Sequence, residues 1–286
     1  MYIEDCALVL EGGGMRGAFT AGIIKFLLEK NLIFEYVVGV SAGANNGANY
    51  VSRQVDRNKK IFVDLVEDER YMGIKNLIKE GNYFGMDFLF HELPHKILPF
   101  DYENFLKSNS KLVVGVTDCT AGKAVFLQPK NCGSQKKIDK IFKATSSLPL
   151  ISTPVKMGGR VYFDGGITAP IPVNRAEADG YKKNLIVLTR ENNYRKKPLK
   201  AGFLLNFFLK DYPQLVDQLK NRYKVYNRTI DYIRKKEKKG DFFVFRPQNL
   251  AIDRFSKDKE KLKELYNSAY KIAENRSKEL LDWLKS

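Results

Sequence analysis

Apolar positions follow two different periods along the chain. Short apolar runs read as strands: CALVL at 6–10, YVVGV at 36–40, KLVVGVTD at 111–118, AVFLQ at 124–128, RVYFD at 160–164, NLIVLTR at 184–190 and DFFVFRP at 241–247. Between them lie longer stretches at helical spacing. AFTAGIIKFLLEKN, from residue 18, brings Ala18, Gly22, Phe26 and Leu27 to one side. Strands that alternate with helices predict an α/β fold with a mostly parallel central sheet flanked by helices.

Residues 58–110 break that alternation. Gly81, Gly85, Pro94 and Pro99 stand among aromatic residues with no clean period, which predicts an insertion of short helices flanking the site. From residue 210 a long polar helix, the strand at 241–247 and a last helix follow. In that last helix Leu262, Leu265, Tyr266, Ala269, Ile272 and Ala273 form one stripe, so it is expected to dock as a C-terminal extension.

The chain of 286 residues can bury one large core, or a domain plus an extension. Its formal charge of +16 is unevenly placed. Residues 181–286 hold 27 Lys and Arg against 13 Asp and Glu, whereas residues 1–180 hold 22 against 20. Such an excess favours an anionic surface, with phospholipid headgroups and nucleic acid as the candidates. Cys6, Cys119 and Cys132 are odd in number and lack metal spacing, and no leader-like segment precedes the first strand. The expected place is a reducing cytosol, with peripheral contact at the inner face of the membrane. The longest apolar run, GFLLNFFL at 202–209, is well short of the ~20 residues that a spanning helix needs.

Three short motifs compete for the chemistry. The first is EGGGMRG at 11–17, which places glycines at 12, 14 and 17 in the order of a dinucleotide loop. That reading needs an acid at the end of the second strand, where this chain has GVS, so a nucleotide is not expected. The second is HELPH at 91–95, in the pattern of a zinc helix. Pro94 falls inside the helical turn that would align the two histidines, and no third histidine exists. The expectation there is a loop with two surface imidazoles and no metal. The third is GVSAG at 39–43, a G-x-S-x-G between a strand and a small-residue helix, as a nucleophile elbow at Ser41 requires.

A serine nucleophile needs a base. No histidine follows any later strand, so a Ser-Asp-His triad is not expected. The best carboxylate is Asp164 in RVYFDGG, at the end of a strand, although Asp-Gly between extended segments also reads as a hairpin turn.

In this order EGGGMRG, GVSAG and DGG resemble the patatin-like phospholipases, lipid acyl hydrolases that use a Ser/Asp dyad. The resemblance extends through ATSSLPLISTPV and NLIVLTR. It implies a patatin-like three-layer sandwich, with a catalytic domain at 6–190 and a basic, mainly helical extension at 191–286 to which no motif transfers. It also implies Ser41 as nucleophile, Asp164 as general base, and the loop of Gly12, Gly13, Gly14, Met15, Arg16 and Gly17 as oxyanion hole. Gly39, Gly43, Gly165 and Gly166 complete the motifs.

The N–H of Ala42, next after the nucleophile, is a further candidate donor. Arg16 either adds positive charge beside the site or forms a structural salt bridge. No metal or organic cofactor is required. The expected substrate is a lipid or other acyl ester, with Tyr83, Phe84, Phe88, Leu89 and Phe90 as candidate wall of the acyl chain or, alternatively, plain core. The expected activity is that of a serine lipid acyl hydrolase, and an anionic membrane surface is the expected contact of the basic third. The alternatives are an acyltransferase with the same dyad, or a non-catalytic protein that binds anionic lipid or nucleic acid. No specific nucleic-acid partner is expected, since the aromatic residues form no evident stacking platform.

Overall fold

A computed structural model describes residues 1–199 and 202–286, apart from the side chains of 202–204; the apolar run at 202–209 therefore lies partly outside the described residues. The strands are β1 (Tyr2–Leu10), β2 (Ile33–Val40), β3 (Lys111–Asp118), β4 (Lys123–Leu127), β5 (Val155–Met157), β6 (Arg160–Asp164), β7 (Lys183–Val187) and β8 (Phe242–Phe245). The first helices are α1 (Gly17–Glu29), α2 (Ala42–Val51), α3 (Arg57–Lys59), α4 (Ile74–Glu80), α5 (Tyr102–Lys107) and α6 (Gln135–Ser146). After them come α7 (Val173–Ala178), α8 (Gly202–Phe208), α9 (Pro213–Lys238), α10 (Lys259–Asn275) and α11 (Ser277–Lys285). Among the described residues no helix is long and apolar enough to cross a membrane.

The eight strands form one sheet, whose hydrogen-bonded neighbours run β5-β6-β3-β2-β1-β7-β8, with β4 also paired to β3. β3, β2, β1, β7 and β8 are parallel; β4, β5 and β6 join in antiparallel sense. Side chains alternate between two buried faces. Leu8, Leu10, Leu185, Val187, Phe243 and Phe245 meet α1, α2 and α10 on one side. Ala7, Val9, Ile186, Phe242 and Val244 meet α7 and α9 on the other. The result is three layers, and it explains why the strand runs are apolar at successive positions instead of alternating.

Residues beyond 190 contribute to all three layers. β8 pairs with β7 at the sheet, α9 buries Tyr226, Ile230 and Ile233 against one face, and α10 buries Leu262, Leu265, Tyr266, Ala269 and Ala273 in the core shared with α1. Burying a leucine of this kind stabilises by ~1.5–3 kcal/mol, so the apolar stripe is a sufficient cause of docking.

The insertion at 58–110 consists of α3, α4 and α5 with two wide helical turns of π type, Lys60–Asp64 and Phe88–Ile97. HELPH lies in the second of these, which corrects the expectation of a loop. The Leu98 N–H donates to the Leu93 carbonyl five residues back, and this wider spiral lets Pro94 sit within the turn despite its missing N–H. His95 is also more than a surface imidazole. Its Nε2 lies 2.8 Å from Asp139 Oδ2 and its ring stacks on Tyr102 with centroids 5.4 Å apart. Among the described residues no group of three or more His, Cys, Asp or Glu is placed to hold a metal.

Candidate active site

β2 ends at Val40, the chain turns at Ser41, and α2 begins at Ala42. The turn is sharp, with Ser41 at φ 53° and ψ −131°, a conformation that costs an L-residue roughly 1–3 kcal/mol. Packing around it holds the strain in place. A Cβ on Gly43 would lie 2.5 Å from the Leu10 carbonyl, so only glycine lets α2 start this close to the end of β1. The Ser41 N–H donates to Thr145 Oγ1 at 2.9 Å, and that hydroxyl donates onward to the Gly115 carbonyl at 2.6 Å. Asn45 Nδ2 ties the Ser41 carbonyl to Ser146 Oγ. Thr145 and Ser146 belong to the ATSS segment that ends α6.

The strand register brings Asp164 to this turn. β2 pairs in parallel with residues 111–115 of β3, and β6 pairs antiparallel with residues 116–118. β4 pairs with residues 114–118, overlapping both ladders, so β2 and β6 share the opposite edge of β3. Their carboxyl ends therefore converge where Val40 opposes Gly115 and Asp164 opposes Val116. Asp-Gly opens a 3₁₀ turn, Gly165–Ile167, and not the hairpin that it also suggested. A Cβ on Gly165 would stand 2.2 Å from the Gly115 carbonyl, which requires glycine where the chain leaves the sheet.

Asp164 is 2 % exposed, and its Oδ1 accepts the Gly166 N–H at 2.7 Å. Burial raises its pKa to about 6. Hydrogen bonding from the Ser41 hydroxyl and from Gly166, and then the charges of Arg222 and Arg254, oppose that rise.

The glycine loop runs from the end of β1 into a 3₁₀ turn, Gly14–Arg16, and then into α1. Several of its amides are engaged. The Gly12 N–H donates to the Pro170 carbonyl at 3.4 Å, the Met15 N–H to the Arg254 carbonyl at 3.1 Å, and the Gly17 N–H within the 3₁₀ turn. Among the described residues the N–H groups of Gly13, Gly14 and Ala42 have no acceptor. Arg16 forms no salt bridge among the described residues: it is 6 % exposed, with Nε and Nη1 unpartnered. Burial, followed by the repulsion of Arg190, brings its pKa down to about 10.

Ser41 stands between two recesses. One is apolar and runs past Met15, Ile61, Phe62, Phe84, Leu89 and Phe90. Of the remaining wall candidates, Tyr83 packs edge-on against Phe84 and Phe255, and Phe88 is core beneath the Arg70 guanidinium. The other recess is polar and is shared by Asp164 and the glycine loop. It also contains Glu11, Arg190, Lys196, Arg222, Tyr226 and Arg254, none of which sequence reasoning singled out. The only trace of the four cations in the sequence is the positive excess beyond residue 180.

The family model described as patatin-like phospholipase matches residues 8–177. A second, described as a domain of unknown function (DUF6363), matches residues 212–285. The uncharacterized protein YjjU of Escherichia coli is 28% identical over 189 residues, covering 64% of this chain and 51% of its own length. The probable lipid hydrolase 463L of invertebrate iridescent virus 6 is 25% identical over 193 residues, covering 62% of this chain and 65% of its own. The chain thus spans about half to two thirds of the length of these relatives. Among solved structures, VipD of Legionella pneumophila shares the fold with a TM-score of 0.53 at 14% identity, covering 98% of this chain and 67% of VipD.

Proposed function

The chain belongs to the patatin-like phospholipase family, and on that premise we propose that it is a serine lipid acyl hydrolase working through Ser41 and Asp164. One observation carries the reading: the convergence of β2 and β6 on β3, which sets a strained serine beside a buried carboxylate at the mouth of an apolar cleft.

The chemistry follows from the environment of each group. With its pKa at about 6, Asp164 is largely ionised at neutral pH and basic enough to take the Ser41 proton as Oγ attacks an acyl carbonyl. Negative charge then develops on the carbonyl oxygen. The unengaged N–H groups of Gly13, Gly14 and Ala42 receive it, each such donor being worth ~2.7–4 kcal/mol of barrier. As the intermediate collapses, Asp164 returns the proton to the leaving alcohol, and the acyl group stays on Ser41. Water, deprotonated by Asp164, attacks the acyl carbon, and Asp164 gives that proton to Ser41 Oγ as the fatty acid leaves. The apolar recess holds the acyl chain throughout.

The test is fatty-acid release from mixed phospholipid vesicles by the parent protein beside folded Ser41→Ala and Asp164→Asn variants. Release by the parent alone is the expected result. Equal release by either variant would remove that residue from the chemistry.

A further inference from the structure

Among the described residues, the polar recess beside Ser41 contains five cationic side chains, Arg16, Arg190, Lys196, Arg222 and Arg254, against two carboxylates, Glu11 and Asp164. None of the five forms a salt bridge among the described residues. Glu11 spends one oxygen on the Thr189 N–H at 2.6 Å, and the Arg222 Nε–H donates to the Gly166 carbonyl at 2.5 Å. Among the described residues, two buried guanidinium nitrogens of Arg16 have no acceptor, and the buried Tyr226 hydroxyl also lacks one. Mutual repulsion among the cations adds to burial in depressing Lys196 to about 7. Unpaired cations gathered in a recess destabilise the protein unless an anion joins them.

We propose that this recess is the binding site for a phosphomonoester dianion, and that the dianion is the headgroup phosphate of the lipid whose acyl chain fills the apolar recess. Ser41 is common to both recesses, and in a glycerophospholipid the acyl carbonyl and the phosphate are joined by one glycerol unit. Arginine forks and an ammonium match a terminal phosphate, which presents three oxygens and close to two charges. An uncharged diacyl or monoacyl glycerol leaves the cations unpaired, and a zwitterionic head places its own ammonium among them. Arg16 comes from the glycine loop. The other four lie beyond the family match at 8–177, with Arg222 on α9 and Arg254 in the segment before α10, both within the stretch matched as a domain of unknown function. On this reading the C-terminal stretch supplies the headgroup half of the site.

The inference rests on the hydrolase reading for the location of the acyl chain, and its test separates the two. Titration calorimetry on folded Ser41→Ala protein compares a soluble short-chain lysophosphatidate with the matching monoacylglycerol, the matching lysophosphatidylcholine and inorganic phosphate. The phosphomonoester should bind at least about tenfold tighter than either other lipid, the size expected of one charge-assisted contact. Lys196→Met and Arg254→Met, whose side chains form no hydrogen bond among the described residues, should each narrow that gap and leave monoacylglycerol binding unchanged, which also reports on folding. Equal affinity for the three lipids, or a preference that survives both substitutions, overturns the proposal. Inorganic phosphate binding as tightly as the lipid would assign the recess to a free anion and overturn the headgroup. All of these readouts stand even if no ester is ever hydrolysed.

Discussion

Replacing Asp164 with Asn should make the protein more stable and inactive, by amounts that depend on pH. The Asp164 pKa rises from 3.8 in the open chain to about 6 in the fold. Between these values the folded state holds a proton that the unfolded state has released, so stability falls as pH rises. Above about 6 the full cost of the buried carboxylate is present. A shift of about 2 units corresponds to roughly 3 kcal/mol at pH 8, and about half of that remains at pH 5. Asn keeps the shape and can still accept the Gly166 N–H, but carries no charge. Urea unfolding of parent and variant at pH 5 and pH 8 measures the difference directly. In the proposed mechanism the same carboxylate sets the pH dependence of turnover in the parent. Release should rise with pH, reaching half its plateau near 6 and about a tenth of it one unit lower. A variant no more stable than the parent at pH 8, a gain independent of pH, or a profile flat from pH 5 to 8 would refute the reasoning.

Three further outcomes follow from local geometry. Ser41→Gly should abolish lipid turnover and raise stability by about 1 kcal/mol, because glycine adopts positive φ without strain; a loss of stability in chemical denaturation would contradict the strain. Gly43→Ala should lower stability by about 2 kcal/mol or more, since its methyl would meet the Leu10 carbonyl; an unchanged melting temperature would mean that α2 can back away from β1 at no cost. The double change His91→Ala with His95→Ala should leave turnover within the same order of magnitude. A loss of about a hundredfold or more in a folded protein would place an imidazole in the reaction.

What was legible in the sequence was local. β3 and β6 coincide with the runs KLVVGVTD and RVYFD, because strands buried on both faces are apolar enough to stand out from their flanks. β5, only three residues of VKM, is too short to show any period. The wide turns at 60–64 and 88–97 defeat a search for 3.6-residue spacing, and Pro94 argues for a loop until the bonding five residues back is seen. At the site, Ser41 and Asp164 were visible because each is embedded in glycines demanded by its own turn. The register that joins them was not, since it depends on two strands meeting partway along a third. Arg190, Lys196, Arg222 and Arg254 were visible only as net charge, because residues scattered from 190 to 254 share no motif.

The bond from the Met15 N–H to the Arg254 carbonyl bears on when the protein becomes competent during its synthesis. The glycine loop emerges from the ribosome early, whereas its latch is made some 240 residues later, roughly 12–48 s behind at about 5–20 residues per second. Strands and helices near the amino end can form in that interval, but the loop lacks its clasp and β7 lacks β8 beside it. On the proposed reading, chain order alone sets when the loop of a nascent chain gains its clasp, which is once residue 254 has arrived.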